Sequence, residues 1–310
     1  MMAAVVPLLI GVIYTLPLAI TASPLFFFES VTVRFCFFLL SPFIYISTYL
    51  LTAGFFCIPF RPGIVAGKFP RNLSHPVYGA RRGFGVCWSS VYYFTPVYFA
   101  ALSIGPLKRA LFRMFGYKGS MNFTIYADSW IRDLPLLTFG EGAYISNKAT
   151  LGTNLCLKSG DILVGPISIA RKGLVGHLAI VGLGSTLAEE AEVGIGVAFG
   201  LKCYLGKHSK IAPSSAVNHG THIGDNCSIG AASYIGVKCV IKDNVNLHAG
   251  ANIPAGAIIS SQDEAERFYS SETQLLNEVR ETLIISMKSD SEKGSKFEIG
   301  QVHEIRKPNN

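Results

Sequence analysis

The sequence predicts a mainly β protein, a parallel β-helix of six-residue repeats, with a helical membrane module before it and an α-helix after it. Three observations carry that prediction. Between Phe139 and Ile259 every sixth residue is apolar, 21 positions in succession, in a chain that is 50% hydrophobic. Such a run arises by chance about once in two million trials for a given frame. From Ala170 onward the residue after the apolar one is usually small and so is the fifth hexad position, and the first 120 residues hold two long uncharged stretches.

A period of six is neither the 3.6 of a helix nor the 2 of a strand, so it marks a repeat architecture. From Ala170 onward the residue after the apolar one is often glycine (Gly176, Gly182, Gly194, Gly200, Gly206, Gly224), where a strand turns a corner with no side chain in the way. The fifth hexad position is small throughout, from Gly173, Ala179 and Ser185 to Ala251 and Ala257. One large and one small inward residue per short strand fits a thin triangular prism. Three hexads make one coil, and coils stack at about 4.8 Å, so Phe139 to Ile259 spans close to seven coils, roughly 30 Å. Lys158, Asp161 and Val164 occupy positions that should be small, which predicts a loop or irregular coil from Leu157 to Pro166.

Residues 3–28 and 35–60 carry no charged side chain, and each stretch exceeds the ~20 residues that span hydrocarbon. They read as two transmembrane helices in a hairpin. Met1 to Ala4 has no basic n-region, which argues against a cleaved leader. The following loop holds Arg61, Lys68, Arg71, Arg81 and Arg82 with no acid, placing it on the cytoplasmic side. Residues 83–107 form a third uncharged stretch, crowded with Trp88, Tyr92, Tyr93 and Tyr98; it reads as an interfacial segment or a third span. Ser261 and Glu264 form a capping box that opens a helix over 261–288, and 289–310 is polar and expected to be disordered. The domains are therefore 1–120, 121–260, 261–288 and a tail.

Charge follows the same division. Residues 1–120 carry ten Lys/Arg against one acid, and 121–310 carry 17 against 19, which sums to the net +7 of the chain. The basic end suits anionic headgroups or a lipid-linked phosphate. No nucleic-acid motif accompanies it, so no nucleic-acid partner is expected. Of the seven cysteines, Cys203, Cys227 and Cys239 fall on the inward fifth position and read as core residues.

His177, His208, His219, His222 and His248 lie at hexad positions that point away from the core. The run Val217-Asn218-His219-Gly220-Thr221-His222-Ile223-Gly224-Asp225-Asn226 resembles the catalytic segment of the hexapeptide-repeat acyltransferases. Those include the lipid A acyltransferases and the sialic acid and bacillosamine acetyltransferases. The resemblance implies a left-handed β-helix, a homotrimer and His219 as general base, taking a proton from a hydroxyl or amine as it attacks a thioester. An imidazole suits that task because its pKa lies near working pH. His222 joins His219 as a candidate, with His177 or His248 as partners across an interface. The backbone N–H groups of Gly220 and Gly230 are the candidate oxyanion donors. Gly220 stands where the acetyltransferases often carry an acid.

The implied co-substrate is an acyl-CoA or acyl-carrier thioester, with no permanently bound cofactor. The implied acceptor is a membrane lipid or lipid-linked glycan. The same run resembles γ-class carbonic anhydrases, in which a second zinc ligand sits five residues earlier; here that residue is Ser214, so no metal ligands are assigned. The order from the spans through Ser74-His75-Pro76 to Asp133-Leu134-Pro135-Leu136-Leu137-Thr138-Phe139-Gly140-Glu141-Gly142 resembles the membrane-bound C-terminal region of poly-lysine-synthetase-type nonribosomal peptide synthetases. The combined expectation is an integral membrane acyltransferase with its β-helix on the cytoplasmic face. A non-catalytic trimeric scaffold is the alternative.

Overall fold

The computed structural model describes residues 2–268. Its first part is helical: α1 (Met2–Ala22), α2 (Pro24–Phe27), α3 (Val31–Cys57), α4 (Pro76–Tyr92), α5 (Thr95–Ser103) and α6 (Gly105–Met114). Val6–Phe27 and Val31–Gly63 are long and apolar enough to cross a membrane. The stretch 83–107 is not one helix. Pro96 has no N–H with which to continue α4 and lies in the first turn of a new helix, the chain breaking after Tyr92 and restarting at Thr95. The aromatic residues there divide: Tyr93 and Phe99 are exposed, and others are core. Trp88 and Tyr98 are each 1% exposed, and the Trp88 indole donates to Ile131 O at 2.9 Å, binding α4 to the start of the β region.

The β region is a parallel β-helix of about eight turns. Its first face stacks Phe123–Ile125, Ala143–Ile145, Leu174–Val175, Glu192–Val193, Lys210–Ile211, Ser228–Ile229 and Asn246–Leu247. The second stacks Thr150–Gly152, Ile180–Gly182, Ala198–Phe199, Ala216–Val217, Tyr234–Ile235 and Asn252–Ile253. The third runs from Leu137–Phe139 through Ile167–Ile169, Thr186–Leu187, Tyr204–Leu205, His222–Ile223 and Val240–Ile241 to Ile258–Ile259. The stack therefore begins at Phe123, ahead of the first hexad visible in the sequence.

The six-residue frame has a hidden interruption. Val175 lies opposite Val193, 18 positions on, but Phe139 lies opposite Ile169, Ile145 opposite Val175 and Leu151 opposite Val181, each 30 positions apart. The excess of 12 is two hexads. It forms an antiparallel hairpin, Asn154–Cys156 with Asp161–Val164, to which Gly67–Pro70 adds a third strand. Leu157 and Leu163 thus keep the period while standing half-buried outside the prism.

Inside the prism the other members of the apolar set are buried, as are Cys203, Cys227 and Cys239. The inward hydroxyls bridge coils. Ser209 Oγ donates to Gly224 O at 2.7 Å and accepts the Cys227 N–H at 2.8 Å; Thr221 does the same with Gly236 O and the Cys239 N–H. The glycines after the apolar position serve coil spacing: a Cβ on Gly176 would come within 2.7 Å of the Gly194 carbonyl carbon. The turn itself is made two residues later, where Lys172, Leu178, Glu190, Lys202, His208, Asn226 and Asn244 take φ between 53° and 63°. Side chains that ordinarily avoid this region are held there by the coil register.

The helical part meets the β-helix through buried polar contacts. Arg81 of α4 donates to Asp133 Oδ2 at 2.7 Å, and the Thr153 hydroxyl donates to the same oxygen at 2.7 Å. Asp133 itself has φ 52°. Tyr117 packs with Phe112, Phe123 and Phe139 at ring separations of 5.5–5.6 Å, and its buried hydroxyl is pushed up to about 12 by burial. Lys108 Nζ donates to Phe123 O. At the other end α7 (Gln262–Glu266) closes the stack: the Ser261 hydroxyl accepts the Glu264 N–H at 3.3 Å. The remainder of the helix expected over 261–288, from residue 269, and the tail expected over 289–310 lie outside the described residues.

Candidate functional site

Each coil corner presents the same backbone problem. The N–H groups at the second and fourth hexad positions donate to carbonyls of neighbouring coils, as Gly200 N does to Val217 O and Lys202 N to Leu183 O. The third-position N–H has no such acceptor, and an unpaired backbone donor is costly. At several corners the third-position side chain of the next coil takes it. Asp225 Oδ1 accepts the Lys207 N–H at 2.7 Å, and Asp243 Oδ1 accepts the Asp225 N–H at 2.8 Å.

His219 occupies this third position between the second and third faces, exposed, and its Nδ1 accepts the Leu201 N–H at 3.0 Å. That contact sets the tautomer. With Nδ1 an acceptor, the neutral ring carries its hydrogen on Nε2, so the outward nitrogen offers a donor instead of the lone pair expected of a base. His177 occupies the third position between the first and second faces and is the opposite case. Its Nδ1 lies 3.0 Å from Asn147 O, a pure acceptor, so Nδ1 carries the hydrogen and the half-buried ring presents a lone pair at Nε2. Leu178, Ile180 and Ile195, each more than half exposed, make the surface around His177 apolar.

The other candidates are held elsewhere. His222 is exposed on the third face and stacks on Tyr204, with centroids 4.6 Å apart and rings 6° from parallel. It is on the strand that follows the His219 corner, and no contact joins the two rings. His208 Nδ1 lies 3.2 Å from Glu190 Oε2, inside a charged ladder in which Arg171 pairs with Glu189 and Lys172 with Glu190 at 2.9 Å. The Lys172 ammonium holds the Glu190 carboxyl below the usual range. His248 Nε2 lies 3.5 Å from Glu266 Oε1.

The expected oxyanion donors are already engaged. Gly220 N–H donates to Leu201 O and Gly230 N–H to Leu247 O, each at 2.8 Å, so neither amide is free for a ligand. The coil register that fixes these bonds is not written in any one hexad. The three inward cysteines are inert as well, for burial pushes the Cys203, Cys227 and Cys239 thiols up. Among the described residues no three His, Cys, Asp or Glu side chains come together to hold a metal ion. His219 lies in the run that resembles the acyltransferases and His177 does not. Only the Asn147 and Leu201 contacts, 30 and 18 residues distant, separate their chemistry.

Residues 202–237, a stretch that includes His219, match the family model described as bacterial transferase hexapeptide (six repeats). No curated protein matches the chain.

Proposed function

We propose that this chain, whose coils are of the hexapeptide-repeat, left-handed β-helix kind, is an acyltransferase anchored in a membrane by α1 and α3. It moves an acetyl or other acyl group from a CoA or carrier-protein thioester to a hydroxyl or amine of a lipid-linked or surface-glycan acceptor. The β-helix lies on the cytoplasmic face, and a trimer supplies the walls of the site. The observation that carries this reading is the match to transferase-type hexapeptides over 202–237.

In this reading His177 carries the proton transfer, and His219 caps the corner of its own coil. His177 Nε2 takes the proton of the acceptor hydroxyl or amine as its oxygen or nitrogen bonds to the thioester carbonyl carbon. A backbone amide of a neighbouring subunit stabilises the oxyanion. The C–S bond then breaks, and the departing thiolate recovers the proton as free thiol. His177 lies 42 positions before His219. At 18 residues and about 4.8 Å per coil, it is roughly 11 Å nearer the helical module, which suits a lipid-borne acceptor.

A second reading has its own support. His219 caps a corner amide just as Asp225 and Asp243 do, and the Gly220 and Gly230 amides are consumed within the stack. A purely structural β-helix, a trimeric scaffold of a membrane assembly, needs nothing more. The two readings separate when membranes containing the protein receive radiolabelled acetyl-CoA and, in parallel, a long-chain acyl-CoA and an acyl-carrier thioester. Label entering the lipid or glycan fraction above membranes lacking the protein is the expected result. No incorporation from any of the donors overturns the transferase reading in favour of the scaffold.

A further inference from the structure

A cleft outside the coil corners gathers arginines from three separated segments. Arg71 precedes α4, Arg81 and Arg82 are on α4, and Arg132 is in the first coil of the β-helix; together with Asn154 of the hairpin they line a space of about 200 Å³. Arg82 and Arg132 also line a second space of about 400 Å³, whose far wall is Ile10 and Tyr14 of α1. The two spaces therefore meet at those guanidinium groups.

The cleft is built and not a chance meeting of surface side chains. Arg81 is 3% exposed, and while its Nη2 is held by Asp133, its Nη1 has no partner. A buried guanidinium nitrogen left unpaired is costly unless a ligand completes it. The Arg132 guanidinium lies against the α4 backbone at Gly85, where a Cβ would come within 2.5 Å of its Nη2. Charge does not balance within the cleft. Asp133 meets Arg81 at 2.7 Å and Arg132 at 3.9 Å, while among the described residues neither Arg71 nor Arg82 has a carboxylate within ion-pair distance. Planar guanidinium forks converging from different elements match the tetrahedral oxygens of a phosphate.

The second space gives the ligand its other half. Ile10 and Tyr14 lie four and eight residues into the apolar stretch that begins at Val6, about 6 and 12 Å along the helix. A cationic pocket that opens onto the flank of such a helix fits a molecule with a phosphate at one end and a hydrocarbon chain at the other. We infer that this arginine cleft binds the phosphate or pyrophosphate of a membrane lipid, with the chain lying against Ile10 and Tyr14. The inference rests on the membrane placement of α1 and not on acyl transfer, so it stands or falls by binding alone.

The test uses the full chain in detergent, with short-chain phosphatidic acid, its diacylglycerol counterpart and inorganic phosphate as probes, read by native mass spectrometry. Phosphatidic acid should be retained well above diacylglycerol, and Arg82→Gln with Arg132→Gln should weaken it at least about tenfold. Neither side chain is half of the buried Arg81–Asp133 pair, and a melting curve matching the wild type confirms that the double variant folds. Equal retention of the two lipids, or of phosphatidic acid by wild type and variant, overturns the site. Displacement of the lipid by inorganic phosphate at equal concentration overturns the lipid source and leaves a free-phosphate pocket. A transferase that fails the acetyl-labelling assay while retaining phosphatidic acid separates this inference from the transferase reading.

Discussion

The coil stack from Ile167 to Ile259 and the junction that ties it to the helices are specified in opposite ways. In the stack one set of interactions repeats every 18 residues: an inward aliphatic group, a small fifth residue, a corner at positive φ and an amide cap at several corners. In the junction almost nothing repeats. Arg81 and Asp133 are 52 residues apart, Trp88 reaches Ile131, and Gly67–Pro70 pairs with a hairpin that interrupts the second coil. A solenoid spreads its stability over many near-equal neighbour terms, whereas a junction concentrates it in a few long-range contacts.

That contrast sets the order of expected effects. Asp133→Ala leaves the buried Arg81 guanidinium unpaired and should lower stability by about 3–5 kcal/mol, seen as a drop in melting temperature in detergent. Arg81→Met with Asp133→Leu should regain most of that loss, and a double variant as unstable as the single one would show that the pair does more than neutralise itself. In the middle of the stack, Ile229→Ala should lose about 2–4 kcal/mol. Leu163→Ala, in phase with it but half-buried on the hairpin, should lose under about 1.5 kcal/mol; equal losses would mean that the hairpin behaves as a coil.

Smaller effects test the repeat itself. Ser209→Ala removes one donor and one acceptor between adjacent coils and should cost about 1–2 kcal/mol, by denaturant unfolding. Leu178 holds φ 58° on an exposed corner, so Leu178→Gly should gain up to about 1 kcal/mol once the unfolded-state entropy of glycine is set against the relieved strain. Destabilisation by that change would indicate that the apolar surface beside His177 is covered in the assembly.

The stack was legible in the sequence because every hexad states the same constraint, and 21 statements agree. The hairpin was legible only as a weak spot at Leu157 to Pro166. Its 12 extra residues are a whole number of hexads and carry apolar residues in phase, so the frame passes through unbroken. The junction was not legible at all, since no local pattern couples Arg81 to Asp133. The chemistry of the histidines lay between these cases. Hexad position shows that His177 and His219 face outward, but the hydrogen on each ring is decided by a backbone group of another coil, the Asn147 carbonyl or the Leu201 amide. For the same reason Gly220 and Gly230 looked available as donors until the coils were stacked.

The division of roles between the two imidazoles is open to a direct measurement. Membranes carrying wild type, His177→Ala or His219→Asp are supplied with the labelled thioester, and initial rates are taken alongside melting curves. Aspartate at 219 can still accept the Leu201 N–H, so His219→Asp should melt as wild type, keep the base and transfer at the wild-type rate. His177→Ala should melt within about 1 kcal/mol of wild type and lose about 10²–10⁴-fold in rate. Transfer unchanged in His177→Ala but abolished in a normally folded His219→Asp would contradict the assignment and return the base to His219.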